Sequence, residues 1–235
     1  VLAVALFFGA GIRHGFALMS FALCLFVTLT ISMEFFKGAN AIRSKTGQNV
    51  LAAMVELTHR NTRRYGGYIV HIAIVVMFIG FTGKAFDKDA TVQVGAGETF
   101  HLGGYDMKVR EISNGENENY VWSHAKVDIY QSGKMVHTLE PERRAYKASR
   151  QPTSEVDIWR RINEDVYLNF AGSEGPKAVI QAYVFPLVSW IWVGFWVLFA
   201  GTLICLVPNK VREVRSVESL PASRPAAVPE AELTR

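Results

Sequence analysis

The residue with the clearest capacity for chemistry is His71, which interrupts the apolar run of residues 66–83. An imidazole in hydrocarbon costs free energy unless it is hydrogen-bonded or ligates a metal. His71 lies seven residues after Arg64, roughly 10 Å along a helix from the basic end of the run. One stable arrangement directs one ring nitrogen toward an iron atom and hydrogen-bonds the other. The alternative is a structural hydrogen bond to another helix.

The helical face that carries His71 is rich in large side chains. Its other members are Tyr68, Val75, Phe78 and Ile79. Such side chains would pack against a flat porphyrin. Gly66 and Gly67 precede this face, and two small residues let a second helix approach closely. Arg63 and Arg64 lie at the start of the run. They are candidates for contacts with haem propionates, because the Arg fork matches a carboxylate, or for simple anchors at the membrane surface.

Other residues that commonly bind metals give weaker signals. His101, His124 and His137 are scattered through the polar part of the chain without the spacing of a metal site. Cys24 and Cys205 lie in apolar runs, and the chain has no CxxC motif. The cysteines therefore predict neither a thiol redox site nor a zinc site.

Long apolar runs show what positions these residues. Runs of about 20 apolar residues match the length that a helix needs to cross a bilayer. We predict transmembrane helices within residues 1–36, the first of them truncated, and further spans at 66–83 and 186–207. The chain starts with Val1 inside an apolar run. We therefore expect it to be the C-terminal piece of a larger protein.

The distribution of basic residues predicts the orientation. Residues 37–65, a predicted basic loop with a short interfacial helix, hold six Lys or Arg residues and one acid, Glu56. By the positive-inside rule this loop is cytoplasmic, as is the polar, disordered tail predicted for residues 208–235. Residues 84–185, with 13 basic and 15 acidic residues, are then extracytoplasmic. The net charge of +4 is modest and not gathered on one face, which argues against nucleic acid as a partner.

The segment 84–185 has the pattern of a β domain. Six short alternating runs, among them YVWSHAKVDIY and AVIQAYVF, are rich in β-branched and aromatic residues. Residues 131–134 and the pair Asn114-Gly115 are turn signals. The predicted fold is a mixed membrane protein, with transmembrane α-helices and a small antiparallel barrel or sandwich of five to seven strands outside the cytoplasm.

Two stretches resemble the CcmF family of cytochrome c haem lyase subunits. NTRRYGGYIVHIAIVVMFIGFTG leads from an Arg-rich segment through Gly-Gly to an intramembrane His, and YVFPLVSWIWVGFWVLFAGTLICLVP resembles the family's last span. The order of helix, outer domain of about 100 residues and final helix is also similar. The family's tryptophan-rich outer segment and its second transmembrane histidine are absent from these 235 residues.

The resemblance implies that His71 is one of two axial ligands of a b-type haem, the second lying outside this chain. It also implies a bacterial inner-membrane location, with the β domain in the periplasm. The implied partners are the N-terminal part of the same protein, a haem chaperone, apocytochrome c with its thiol-handling proteins, and membrane lipid. Quinol is a further candidate.

The resemblance implies an activity as well. The complete protein would join haem vinyl groups to the thiols of a CxxCH motif, and this chain would act only as part of it. Thioether formation needs reduced iron, which a membrane haem could supply by relaying electrons from quinol. The competing hypothesis is a membrane-anchored scaffold whose β domain docks partner proteins without haem.

Overall fold

Five helices and ten strands make up the part of the chain that the structure, a computed structural model, describes, namely residues 2–149 and 151–208. The helices are α1 Leu2–Gly9, α2 Gly15–Thr46, α3 Val50–Arg60, α4 Thr62–Thr82 and α5 Ser189–Leu206. A 3-10 turn, Gly83–Phe86, extends α4. Three of these segments are long and apolar enough to cross a membrane: α2, α4 with its 3-10 turn, and α5. The predicted tail falls almost entirely outside the described residues.

The predicted loop over residues 37–65 is mostly helical. Helix α2 continues past its apolar part to Thr46, where Gly47 adopts a φ of 71° and closes it with a backbone hydrogen bond to Arg43. Helix α3 then packs on the end of α2 through Ala39, Ile42 and Ala53. Helices form in this basic segment because small apolar residues recur at helical spacing among the charges. The predicted short helix is present as α3.

Helices α4 and α5 pack closely along their length, and glycines make the approach possible. A Cβ added at Gly66 would lie 2.7 Å from Sγ of Cys205, and one at Gly194 would lie 2.8 Å from the carbonyl oxygen of Ala73. A Cβ at Gly67 would meet nothing within 4 Å. Of the Gly-Gly pair, Gly66 therefore serves the helix contact, whereas Gly67 faces away from it.

The β domain is a sandwich of two antiparallel sheets. One sheet has the order β1-β10-β9-β8, and the other has the order β2-β3-β4-β6-β7, with β5 also pairing with β4. The strands of the first sheet are β1 Lys88–Val94, β8 Asp157–Trp159, β9 Glu164–Glu174 and β10 Lys177–Pro186. Those of the second are β2 Thr99–Leu102, β3 Tyr105–Glu116, β4 Tyr120–Gln131, β5 Lys134–Leu139, β6 Glu142–Tyr146 and β7 Pro152–Glu155. The mixed fold of helices plus an antiparallel β domain is confirmed.

The core of the sandwich comes from the inward positions of the long strands. Met107 and Val109 of β3, Val127 of β4, and Leu168 and Phe170 of β9 are fully buried. Alternation along each strand places these side chains between the sheets and the polar ones outside. The six predicted strands are present in the structure, but the predicted number of five to seven is too low.

The Asn114-Gly115 turn prediction is wrong, because both residues lie inside β3. The hairpin turns three residues later, where Oδ1 of Asn117 accepts hydrogen bonds from the backbone N–H groups of Asn119 and Tyr120. Gly115 pairs across the sheet with Trp122, whose indole occupies the space that a Cβ would need. The predicted turn at residues 131–134 is confirmed, with positive φ angles at Ser132 and Gly133.

Candidate functional site

One face of α4 carries a column of polar and aromatic side chains that ends at His71. At 100° per residue, His71 lies on nearly the same side of α4 as Arg64, seven residues earlier, with Tyr68 between them. Arg63 is rotated from His71 by about 80°. The helix begins at Thr62, four residues before the predicted start of the span, so both arginines are helical. The column therefore runs inward from the basic end of α4.

The ring of His71 is oriented by its own helix. Nδ1 of His71 lies 2.7 Å from the carbonyl oxygen of Gly67, one turn earlier. A carbonyl oxygen only accepts hydrogen bonds, so in this arrangement Nδ1 carries the proton and donates it. Nε2 is then the unprotonated nitrogen, with its lone pair directed away from the helix. Metal-binding histidines commonly show this pattern, in which a backbone carbonyl fixes the tautomer.

An apolar groove of about 140 Å³ between α2 and α4 adjoins the ring. Its lining residues are Leu23, Cys24, Val27, His71, Ile74, Val75 and Phe78. His71 and Phe78 are exposed on this side, while Val75 is buried and its carbonyl oxygen lies 3.8 Å from Sγ of Cys24. Sites for small-molecule ligands usually enclose about 300–1,000 Å³. The groove is therefore too small to enclose such a ligand by itself.

An ion pair links the first and second membrane-spanning helices at the basic end of the column. Nη2 of Arg64 donates to a carboxylate oxygen of Glu34 on α2 at 2.9 Å, and its Nε donates to the hydroxyl of Tyr68 at 3.3 Å. The guanidinium group of Arg64 is thus held on the His71 face. Arg63 is exposed at the same level of the helix. From the sequence Glu34 is predicted only as an interfacial charge at the end of its span, because nothing in the spacing of 30 residues indicates that it meets Arg64.

The remaining histidines lie elsewhere. The ring of His14 packs edge-on against Phe86 at 5.8 Å between centroids, about 22 Å along the helix from His71. His59 lines a groove between α3, α4 and α5 at the other end of α4.

The histidines of the β domain also lie apart from His71. Nδ1 of His101 lies 2.5 Å from Asp106, and His124 and His137 stack on tryptophans. Within residues 2–149 and 151–208, no group of three His, Cys, Asp or Glu side chains could hold a metal ion.

Comparison with known proteins agrees with this architecture. Residues 85–186, the two sheets just described, match the family described as the CcmF C-terminal β-sandwich. The match to that family is carried by these residues, which make up the β domain. The chain is 29% identical over 150 residues to "Cytochrome c-type biogenesis protein ccl1" of Rhodobacter capsulatus, and 25% identical over 178 residues to "Cytochrome c-type biogenesis protein CcmF" of Haemophilus influenzae. These alignments cover 63% and 69% of this chain.

A solved structure extends the match to the helices. The chain superposes on "Cytochrome c Heme Lyase CcmF" with a TM-score of 0.67 over 88% of its length, at 21% identity. That likeness shows the fold. The chain spans 33% of the solved protein and only 23% and 28% of the two curated relatives. Its three apolar helices and the likeness to these relatives support a multi-pass membrane protein.

The residues beside the groove between α2 and α4 would fit one side of a haem site. His71 offers an oriented lone pair, Phe78 and Ile74 offer apolar surface, and Arg64 offers a cation on the same face. The groove is open, and His71 is the only histidine among its lining residues. The arrangement suits a ligand that is held between this segment and another helix.

Proposed function

We propose that this chain is the C-terminal part of a cytochrome c haem lyase subunit, and that it holds a b-type haem in the membrane through His71. The observation that carries the proposal is the hydrogen bond from Nδ1 of His71 to the carbonyl oxygen of Gly67, because it leaves Nε2 as an oriented ligand. Haem bound there would supply one-electron transfer. The names of the relatives, which concern cytochrome c biogenesis and haem lyase, support the same proposal.

In this proposal each residue of the column has a distinct task. His71 would hold the haem through its iron and, as a neutral ligand with a fixed tautomer, would not act as an acid or base. Ile74 and Phe78 would pack apolar side chains against the haem. Arg64, held by Glu34, and the exposed Arg63 would pair with the propionates at the basic end of α4. Glu34 thus acts as a positioning residue for Arg64.

The complete activity needs more than this chain. We propose that the N-terminal part of the protein supplies the second axial ligand. The remaining partners are a haem chaperone, apocytochrome c with its thiol-handling proteins, and quinol as electron donor. The membrane is the bacterial inner membrane, with residues 84–185 in the periplasm and residues 37–65 in the cytoplasm. The six basic residues within 37–65, against one acid, support this orientation.

The test is the haem content of the complete protein, purified from membranes, with His71→Ala beside His59→Ala as matched control. We expect His71→Ala to lose the b-haem absorption at normal protein abundance, and cytochrome c assembly to fall with it. His59→Ala should keep the haem. A structural role for His71 instead predicts lower abundance with unchanged haem per protein. A wild-type protein without haem would favour the scaffold hypothesis.

A further inference from the structure

The loop between β8 and β9, residues 160–163, lies level with the start of the last membrane-spanning helix. The carbonyl oxygen of Asn163 accepts a hydrogen bond from the backbone N–H of Leu187 at 2.8 Å, two residues before α5 begins. The buried carboxylate of Asp165 accepts one hydrogen bond from the backbone N–H of Arg161 and another from the hydroxyl of Ser189, the first residue of α5. These bonds fix the height of the loop relative to the helix.

The loop presents an apolar side chain that the sandwich core does not use. Ile162 is 70% exposed, more than any other large hydrophobic residue of the β domain that the structure describes. Leaving an isoleucine in water forgoes the burial free energy that such a side chain gains elsewhere. An exposed apolar side chain at the level where a helix leaves the domain is suited to the boundary between headgroups and acyl chains.

Two arginines precede Ile162, and they differ in what they contact. Arg161 donates from Nη1 to the hydroxyl of Tyr105 at 2.8 Å and to Oε1 of Gln131 at 3.1 Å, so it holds the loop against the second sheet. Arg160 is exposed and has no ion-pair partner in the part of the chain that the structure describes. Its guanidinium group is therefore available to an external anion.

The turn between β4 and β5, next to the loop, also places an exposed apolar side chain beside a basic one. Gln131, which accepts the hydrogen bond from Arg161, begins the turn, and Lys134 and Met135 follow it. Met135 is 49% exposed. The two elements together offer two basic and two apolar side chains at one end of the sandwich, the end that carries both membrane connections. Basic residues at a membrane surface attract anionic headgroups, at about 1 kcal/mol each.

We propose that the 160–163 loop and the β4–β5 turn form a lipid-docking surface, which rests the β domain on the phospholipids of the membrane that α4 and α5 cross. Ile162 and Met135 enter the headgroup region, and Arg160 and Lys134 contact lipid phosphates. The domain is then held at its two covalent connections and at this surface, which restrains its tilt over the bilayer. The inference is independent of the proposed haem site.

Depth measurements on the full chain in nanodiscs test the surface. A spin label is placed at Ile162→Cys or at Glu118→Cys, in a background of Cys24→Ala and Cys205→Ala. Glu118 is the matched control, since it is exposed at the opposite end of the sandwich, in the β3–β4 turn. The label at 162 should be relaxed by lipid-soluble oxygen and protected from a water-soluble nickel chelate, and the label at 118 should show the reverse. Equal access of the chelate to both labels overturns the proposal.

Charge reversal tests the headgroup contact separately. In discs that contain anionic phosphatidylglycerol, Arg160→Glu should lower the ratio of docked to undocked label at 162 by about fivefold for each unit of charge lost, the equivalent of about 1 kcal/mol. Lys147→Glu, at the far end of the domain, should leave the ratio unchanged. Identical behaviour of the two variants overturns the contact. A label at 162 that is shielded from both relaxing agents indicates burial by protein and overturns lipid docking as a whole.

Discussion

The carbonyl oxygen of Gly67 lies 2.7 Å from Nδ1 of His71, one turn later in the same helix. The ring is therefore oriented by local backbone and does not depend on a side chain from another helix. In the proposed haem site such a ring would keep its orientation without help from another helix, and its removal would leave a ring-sized opening on the face of α4.

Added imidazole should partly restore haem to His71→Ala. The vacated position is open on the α4 face, and free imidazole can coordinate iron there without a link to the chain. The alanine itself should not disturb the helix, because alanine has the highest helix propensity. The measurement is the b-haem absorbance per protein across an imidazole titration. Restoration by pyrazole, a poorer ligand of similar shape, to the same extent would contradict coordination.

Reporter fusions should place the two sides of α4 in different compartments. A fusion at Gln48, between α2 and α3, is expected to be active only with a cytoplasmic reporter, because six basic residues surround that segment. A fusion at Asn117, in the β3–β4 turn, is expected to be active with alkaline phosphatase. Phosphatase activity at Gln48 and none at Asn117 would reverse the layout.

The packing of α4 on α5 predicts an asymmetric response to alanine. Gly194→Ala would bring a methyl group within 2.5 Å of Cγ of Met77, so we expect a loss of about 1–3 kcal/mol and earlier thermal aggregation in detergent. Gly67→Ala is the matched control, since a Cβ there meets nothing within 4 Å. Its thermal stability should equal or exceed that of the wild type. Equal melting of the two variants would argue against the close helix contact.

Tyr105 predicts a loss of stability at high pH. Burial, reinforced by the carboxylate of Glu164 that accepts its hydrogen bond, raises the pKa of Tyr105 to about 12 from its ordinary value of 10.0. Below the unfolded-state pKa of 10.0, the contribution of Tyr105 to the free energy of unfolding does not change with pH. Between the two values the unfolded chain releases the proton first, so the free energy of unfolding falls as the pH rises.

The check is denaturant unfolding of residues 84–185, which we expect to fold as a unit, between pH 9 and 12, in the wild type and in Tyr105→Phe. The substitution should flatten the part of the slope that lies above pH 10. Other groups also titrate there, so the difference between the two proteins is the relevant quantity. Parallel slopes would show that the tyrosine does not carry the effect.

The sequence predicts those parts of the fold that local periodicity determines. Residues 16–33 and 66–83 are apolar over the length of a bilayer, and strand β4 alternates over twelve residues, so each is recognisable alone. Strands β6, β7 and β8 have only three to five residues each, too few to show a pattern. They form because β6 pairs with β4, β7 with β6, and β8 with β9. Asn114-Gly115 misleads because the glycine there accommodates Trp122 across the sheet.

The sequence likewise predicts only part of the candidate site. His71 stands out because an ionisable ring in an apolar run is rare and costly. The groove beside it, the ion pair of Arg64 with Glu34, and the contact of Cys24 with the backbone of Val75 all join residues that are 30 or more positions apart. Such pairs depend on how α2 lies against α4, and the spacing of residues within either helix does not specify that.

The two ends of the β domain leave the membrane side by side. Strand β1 starts after α4, β10 ends before α5, and the two strands pair from Lys88 with Val184 onward. Gly83 also lies against the backbone of Pro186. The sandwich is therefore a domain inserted between two adjacent helices, α4 and α5. A short linker from Gly83 to Pro186 can replace all the strands without separating α4 from α5, so the membrane part and the domain can change independently during evolution.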